Sequence, residues 1–546
     1  MTNCKLFPLA LAALCFISCV EIDNTIGSDM IPKDQSFKTY AIEVPITTIY
    51  MQMLDSLSGV SSNRMAIGAI RDQDFGLTTR ATALSLVPFH KNLDFGDSGT
   101  QQFKSFTFRS ALDTVSTDNP DQAYILQNVN VYELTKPITD QSNTNSQIEY
   151  DSSRRVSKGV PILNGKAELS FEFSEEFGSK YMHISKDDLK DIKTYLAKYP
   201  GIYMDTDAPQ GEGGRINLLD LQLEFNSSYI SSNVAELKFS AKYSGVQKDT
   251  SFLFFLGATD LFEADSLLST ASIGYLPQAC LNVTGHSDVS RSKAGLAGEE
   301  IIIEGGGGLK PVIPAADLRR MMIDAIAPYG NPEEAVINKA TVVLPFEPVD
   351  DYAEMDHFPK ILSPGVKIHY TADSLRFFVL SDSSNNSQDQ GDLNMSLFQY
   401  SPDFTYHAQS LLRLKDPEKI SNYDLWFLIQ ANETVYERTS QMDSETAELY
   451  QQMMYSNYYN SMYNGYGYGG YGGYGGYGYN NYNTYYYYMM MQQQMMMQQM
   501  QSQTVSYTTM VMLDKDRYYN ARLLGPGNKT GRVPTFKLVF SVPEQE

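Results

Sequence analysis

The chain has 546 residues, a formal net charge of −22, and 42% hydrophobic and 12% aromatic residues. That length is enough for two domains or more, each with its own core, and the composition is globular rather than disordered. The negative balance argues against nucleic acid and anionic membrane surfaces as partners.

In chain order, Lys5 precedes an almost wholly apolar run, Leu6 to Ile17, and then Ser18-Cys19. This is a charged end, an apolar region too short to span a bilayer, and a small residue at the cut. Phe16-Ile17-Ser18-Cys19 resembles the lipobox of bacterial lipoproteins, with Phe16 in place of the usual leucine. The reading is a signal peptide over 1–18, lipidation at Cys19 and a tether over 19–35; an ordinary secretory signal is the alternative. Cys280 is then the other cysteine left, and with Cys19 acylated it has no disulfide partner, so it reads as a small buried hydrophobe.

From Ser36 the pattern is that of strands. Thr39 to Ile46, Met65 to Ile70, Ala83 to Val87, Phe103 to Phe108 and Val129 to Leu134 are β-branched or alternating runs. In Ala167–Phe173 the residues Leu169, Phe171 and Phe173 face one way and Glu168, Ser170 and Glu172 the other. Ser185 and Asp188 form a capping pair before a helix ended by Pro200-Gly201, and Pro314 opens a second helix through Ile326. Strands resume at Ile216 to Phe225, Val234 to Phe239, Phe252 to Leu256, Ala335 to Pro345, Val366 to Tyr370, Leu375 to Leu380, Leu425 to Ala431, Val505 to Leu513, Tyr519 to Leu524 and Thr535 to Val542.

These runs predict a mainly β protein: two antiparallel β-sandwich or jelly-roll-like units, over 36–262 and 270–546, with one or two short helices. Residues 450–503 contain little but Tyr, Gly, Met, Gln and Asn. They read as a disordered low-complexity insertion in the second unit.

Fragments with catalytic letters lack the context their chemistry needs. Ser290-Arg291-Ser292-Lys293 and Lys529-Thr530-Gly531 spell two motifs of penicillin-binding enzymes, but the first runs into Ala294-Gly295 and the second sits in a turn composition. Gly305 to Gly308 lacks the Gly-Lys-Ser/Thr of a phosphate cradle and reads as a flexible turn. Asp205 and Asp207 begin like a calcium loop, yet Pro209 and Gln210 stand where ligand and glycine belong. The histidines at 90, 183, 286, 357, 369 and 407 form no metal spacing. No catalytic, cofactor or metal residue is therefore assigned. Asp-Ser/Thr-apolar triplets resemble an O-glycosylation signal and mark Ser56, Thr114, Ser266 and Ser374.

Taken together, Cys19, Ile31-Pro32-Lys33-Asp34, Asp74-Phe75-Gly76, Val129 to Leu134, Ile337-Asn338-Lys339-Ala340 and Pro534 to Phe540 are similar to a family of Bacteroidota outer-membrane lipoproteins classed only as a domain of unknown function. The likeness implies a lipoprotein of that membrane, on a face it does not specify, and brings no catalytic residues. The expected function is non-enzymatic binding or scaffolding in the envelope, with a glycan or an outer-membrane protein as partner. The alternative is a glycan-active hydrolase whose carboxylate pair the sequence does not reveal.

Overall fold

The computed structural model describes residues 37–544 apart from 55–56, 58–63, 118–119, 140–141, 222, 227–228, 231–232, 258–274, 277, 279, 372–373, 381, 383–390 and 438–505. The fold is mainly β, built from several antiparallel sheets. The largest carries the strands Ile162–Leu163, Gln127–Leu134, Ile202–Thr206, Gly76–Leu84, Arg64–Asp72, Gly213–Asp220 and Leu112–Ser116 in that order, with Tyr150–Arg155 added to Gln127–Leu134 and Leu281–His286 to Gly76–Leu84. A five-stranded sheet around Gln102–Ser110 and Val234–Tyr243 packs against it. The alternation of Ala167–Phe173 holds, since strand Leu169–Glu172 buries Leu169 and Phe171 and exposes Ser170 and Glu172. Its rings join an aromatic core in which Phe106 lies 4.8 Å from Phe173 and 5.2 Å from Tyr181 and Phe254, between centroids.

The second core is aliphatic-rich, with Ile301, Ile303, Leu344, Phe427, Phe536, Leu538 and Phe540 fully buried. Strand pairing crosses the boundary expected at 262–270. Phe37–Pro45 zips antiparallel to Thr535–Pro543 over its whole length, and Tyr50–Met53 pairs with Leu309–Ile313, so the first strands of the chain belong to the second core. Leu281–His286 does the reverse, pairing with Gly76–Leu84. Alternation tells which face of a strand is buried, but many apolar edges satisfy it equally, so partners distant in sequence are not specified by it.

Five α-helices occur among the described residues rather than one or two: Glu175–Tyr181, Ile192–Lys198, Asp288–Ser292, Ala315–Ile326 and Thr405–Leu412. The capping pair is real, Ser185 N–H donating to Asp188 Oδ2 at 2.8 Å and Asp188 N–H to Ser185 Oγ at 3.2 Å. It caps only a 3-10 turn, Asp188–Lys190, because Asp191 is extended and restarts the chain as the N-cap of Ile192–Lys198. Glu175–Tyr181, Asp288–Ser292 and Thr405–Leu412 escape the sequence reading because each spans eight residues or fewer, too short to display a helical stripe.

The expected disordered insertion lies outside the described residues, but its flanks are in place. Leu425–Glu437 and Ser506–Leu513 pair from Gln430 opposite Leu513 to Glu437 opposite Ser506, so the inserted stretch starts and ends at adjacent positions of one hairpin. Closing a long loop costs only about 0.6 kcal/mol more per doubling of its length. Replacing residues 453–503 by a short Gly-Ser linker is therefore expected to leave the melting temperature and the β-rich circular dichroism unchanged. A variant that loses its cooperative melt would make the stretch part of the core.

Candidate functional site

The candidate site is a strip on the outer face of the largest sheet. Along Gln127–Leu134 successive residues alternate faces: Gln127, Val129 and Val131 turn toward the core, while Asn128, Asn130 and Tyr132 take the other face, Asn128 exposed, Tyr132 half-buried and Asn130 buried beneath its neighbours, with Leu126 just before them. Register carries the strip sideways, setting Ile162 beside Asn128, Asp205 beside Asn130, and Tyr203 beside Tyr132. One end is apolar and open: Leu126 is 71% exposed, Tyr124 59%, Ile162 53% and Val160 43%. Lys166 Nζ stands 4.1 Å over the Tyr124 ring. At the other end Tyr150 stacks on Tyr203 with centroids 4.2 Å apart and on Tyr132 at 5.2 Å.

Between the two ends lies a row of fixed polar groups. Asn130 Nδ2 donates to Asp205 Oδ1 at 2.9 Å and to Asp207 Oδ1 at 3.2 Å, and Asn128 Nδ2 donates to Asp207 Oδ2 at 3.0 Å. Arg155 donates to Asn130 Oδ1. Burial raises the Asp205 carboxyl above its ordinary value, while the amides of Asn128 and Asn130 hold Asp207 below its own. Each carboxylate oxygen keeps lone-pair capacity for a further donor. A row of carboxylates, amides and a guanidinium beside flat rings presents what a polyhydroxy ligand needs: acceptors and donors for hydroxyls, and apolar faces for the C–H surface of a sugar ring.

The strip rests on a buried network. Among the described residues no carboxylate pairs with Arg215; burial lowers its guanidinium to about 10. It donates from Nη1 to the carbonyls of Ala123 at 2.7 Å and Ile125 at 2.8 Å, from Nη2 to Leu163 at 3.1 Å, and from Nε to Asn217 Oδ1 at 2.6 Å. Asn217 donates to Gln127 Oε1 at 2.9 Å, and Gln127 returns a bond to the Arg215 carbonyl at 2.8 Å. Gly165 is required here, since a Cβ on it would lie 2.0 Å from the Ala123 carbonyl oxygen. The backbone that displays Tyr124, Leu126 and Ile162 is thus tied from below by one side chain.

The sequence reading missed this support. Its signal is a charged and an amide residue, Arg215 and Asn217, on the inward side of the wholly buried run Gly213–Leu219. Asp205 and Asp207, whose calcium-loop letters are broken by Pro209 and Gln210, lie at the end of strand Ile202–Thr206 and just past it, their carboxylates bonded to Asn128 and Asn130.

Most other chemically suggestive residues meet in a closed seam between the two cores. Arg80 is buried and donates to the carbonyls of Asp516 at 3.3 Å, Thr79 at 3.1 Å and Arg517 at 3.5 Å. Asn282 Nδ2 donates to Asp516 Oδ1 at 2.8 Å, and Arg517 pairs with Asp514 at 2.7 Å. The Gly305–Gly308 turn, expected to be flexible, is buried here and packed so closely that Cβ atoms on Gly306 and Gly308 would strike Arg80, Glu304 and His286. Lys310 donates to the carbonyls of Glu304, Gly306 and Gly308, and burial lowers its amine to about 7. Ser290 Oγ donates a hydrogen bond to Glu304 Oε2 at 2.5 Å, while Lys293 turns away to the Asp74 carbonyl at 2.6 Å, so the Ser-x-x-Lys letters do not meet. Lys529 pairs with Glu299 on the surface. His407 is buried against the Tyr423 carbonyl, with Nε2 at 2.9 Å.

Among the expected modification sites, Thr114 is exposed on Leu112–Ser116, an edge strand of the largest sheet. Cys19, Ser56 and Ser266 lie outside the described residues, as does the side chain of Ser374, which opens strand Ser374–Val379. Cys280 is buried, its thiol donating to the Arg64 carbonyl at 3.2 Å. Among the described residues no helix is long and apolar enough to cross a membrane, and no group of three or more His, Cys, Asp or Glu is gathered as metal ligands. Comparison with family models, curated proteins and solved structures finds no match.

Proposed function

We propose that this chain is a lipid-anchored, non-enzymatic binding or scaffolding protein of the outer membrane, acylated at Cys19, and that the strip over Leu126–Tyr132 binds an envelope glycan. The resemblance to Bacteroidota lipoproteins supports the anchor. The observation that carries the binding reading is the strip itself, where exposed Tyr124, Leu126 and Ile162 at one end and the half-buried rings of Tyr132, Tyr150 and Tyr203 at the other flank Asn128, Asn130, Arg155, Asp205 and Asp207 over a hydrogen-bonded base. The seam residues act as structure here, because they are buried and Arg80, Asn282, Ser290 and Lys310 spend their donors on the chain, although among the described residues both ring nitrogens of His286, Thr284 Oγ1 and Glu304 Oε1 are buried without a hydrogen bond.

Leu126→Ser, Asn128→Ala and Tyr124→Ala, combined, remove one apolar, one polar and one aromatic contact at exposed positions, without entering the core. The triple variant is expected to lose tenfold or more in affinity for purified envelope polysaccharide in affinity electrophoresis, with its melting temperature kept. Retardation equal to that of the unaltered chain would end this assignment.

A second reading, a glycan-active hydrolase, is favoured by one feature. Asp205 and Asp207 share the Asn130 amide yet are pushed in opposite directions, as an acid and a base are in glycosidases. Release of reducing ends from the same polysaccharide, abolished by Asp205→Asn, would select that reading over binding.

A further inference from the structure

We infer that the end of the four-stranded sheet carrying Phe37, Tyr329 and Val336 rests on the lipid surface to which the chain is tethered. This rests on the lipid-anchor reading. The four strands are Phe37–Pro45, Thr535–Pro543, Val336–Pro345 and Gln399–Tyr400. Phe37 is opposite Pro543 and Val336 opposite Ser541, so both stand on the same face at the same end of the sheet. Tyr329 lies at that end over the other face, its ring 4.5 Å from Tyr40 and 5.7 Å from Phe540. Phe37 is 52% exposed, Tyr329 39% and Val336 38%.

The place where the tether joins says what covers them. Residues 19–36 reach at most about 60 Å and enter the fold at Phe37 itself, so this end is the part of the body held nearest the bilayer. An aromatic pair and a valine suit the headgroup boundary, where rings with one apolar and one wet side are favoured. The charged groups nearby are Lys38, paired with Glu544 at 2.7 Å, and the exposed Glu333 and Glu334, so the surface it fits is zwitterionic rather than anionic.

The test tethers the mature chain, with a hexahistidine tag in place of residues 1–18 and Cys19→Ser, to nickel-chelating lipid in phosphatidylcholine vesicles. An environment-sensitive dye is placed on Val336→Cys or on Val246→Cys, the latter in an exposed hairpin of the other core. Buried Cys280 stays unlabelled in the native protein. Doxyl lipid is expected to quench the dye at position 336 at least twofold more than at 246, and Phe37→Ser with Tyr329→Ser to abolish the difference while the protein remains folded by circular dichroism. Equal quenching at the two positions overturns the inference. Because the tag replaces the acyl chain, that failure is separate from failure of the anchor, which fatty-acid labelling of cells carrying Cys19→Ala reads directly.

Discussion

Arg215→Met is expected to destabilise the first core by about 3–5 kcal/mol, the range for removing one member of a buried charged network. The loss does not come from a broken ion pair, since no carboxylate among the described residues pairs with Arg215. It comes from the carbonyls of Ala123, Ile125 and Leu163 and the amide of Asn217, all of which lose their donor inside the protein. Arg215→Lys should recover only part of the stability, because one ammonium cannot reach across the fork that a guanidinium spans. Urea denaturation followed by tyrosine fluorescence measures the loss. Hydrogen exchange adds the local reading: amides around Tyr124–Gln127 and Ile162–Leu163 should exchange faster than the rest of the sheet. A stable Arg215→Met variant with unchanged exchange would remove the arginine from its supporting role.

The second large effect is acid sensitivity. Burial holds His407 neutral, with its imidazole lowered to about 4, and burial also lowers His286. In the unfolded chain these rings titrate near their ordinary value, so below about pH 6.5 the unfolded state binds protons the folded state refuses. The stability they confer is complete above that pH and falls away as pH drops through about 4. For His407 the difference of about 2.5 units corresponds to about 3 kcal/mol. His407→Gln keeps a side-chain donor for the Tyr423 carbonyl but cannot titrate. Its melting temperature should therefore decline less steeply between pH 6.5 and 4 than that of the unaltered chain. Parallel curves would show that another group governs the acid limb.

How far the sequence led can be argued residue by residue. Leu169, Phe171 and Phe173 declared their face because burial on one side of a strand imposes a period of two, and Ser185 with Asp188 declared a helix start because capping is local chemistry. The pairing of Phe37–Pro45 with Thr535–Pro543 was not legible, since nothing in either run names the other as its partner. The same limit hid the strip. Asn130 and Asp205 are adjacent only through sheet register, and Arg215 serves carbonyls from a loop and from a strand far away in sequence. Gly305 to Gly308 misled for a related reason. Glycines read as freedom in the chain, whereas here they are needed because Arg80 and His286 leave no room for a side chain.

The central claim is that the face around Leu126–Tyr132 is where the protein meets its ligand. Hydrogen-exchange footprinting of the intact chain with and without purified envelope polysaccharide tests it most directly. Slowed exchange confined to residues 124–132, 150–155, 160–163 and 203–207 is the predicted result. Protection elsewhere with none on these segments, or no protection at saturating polysaccharide, would contradict it.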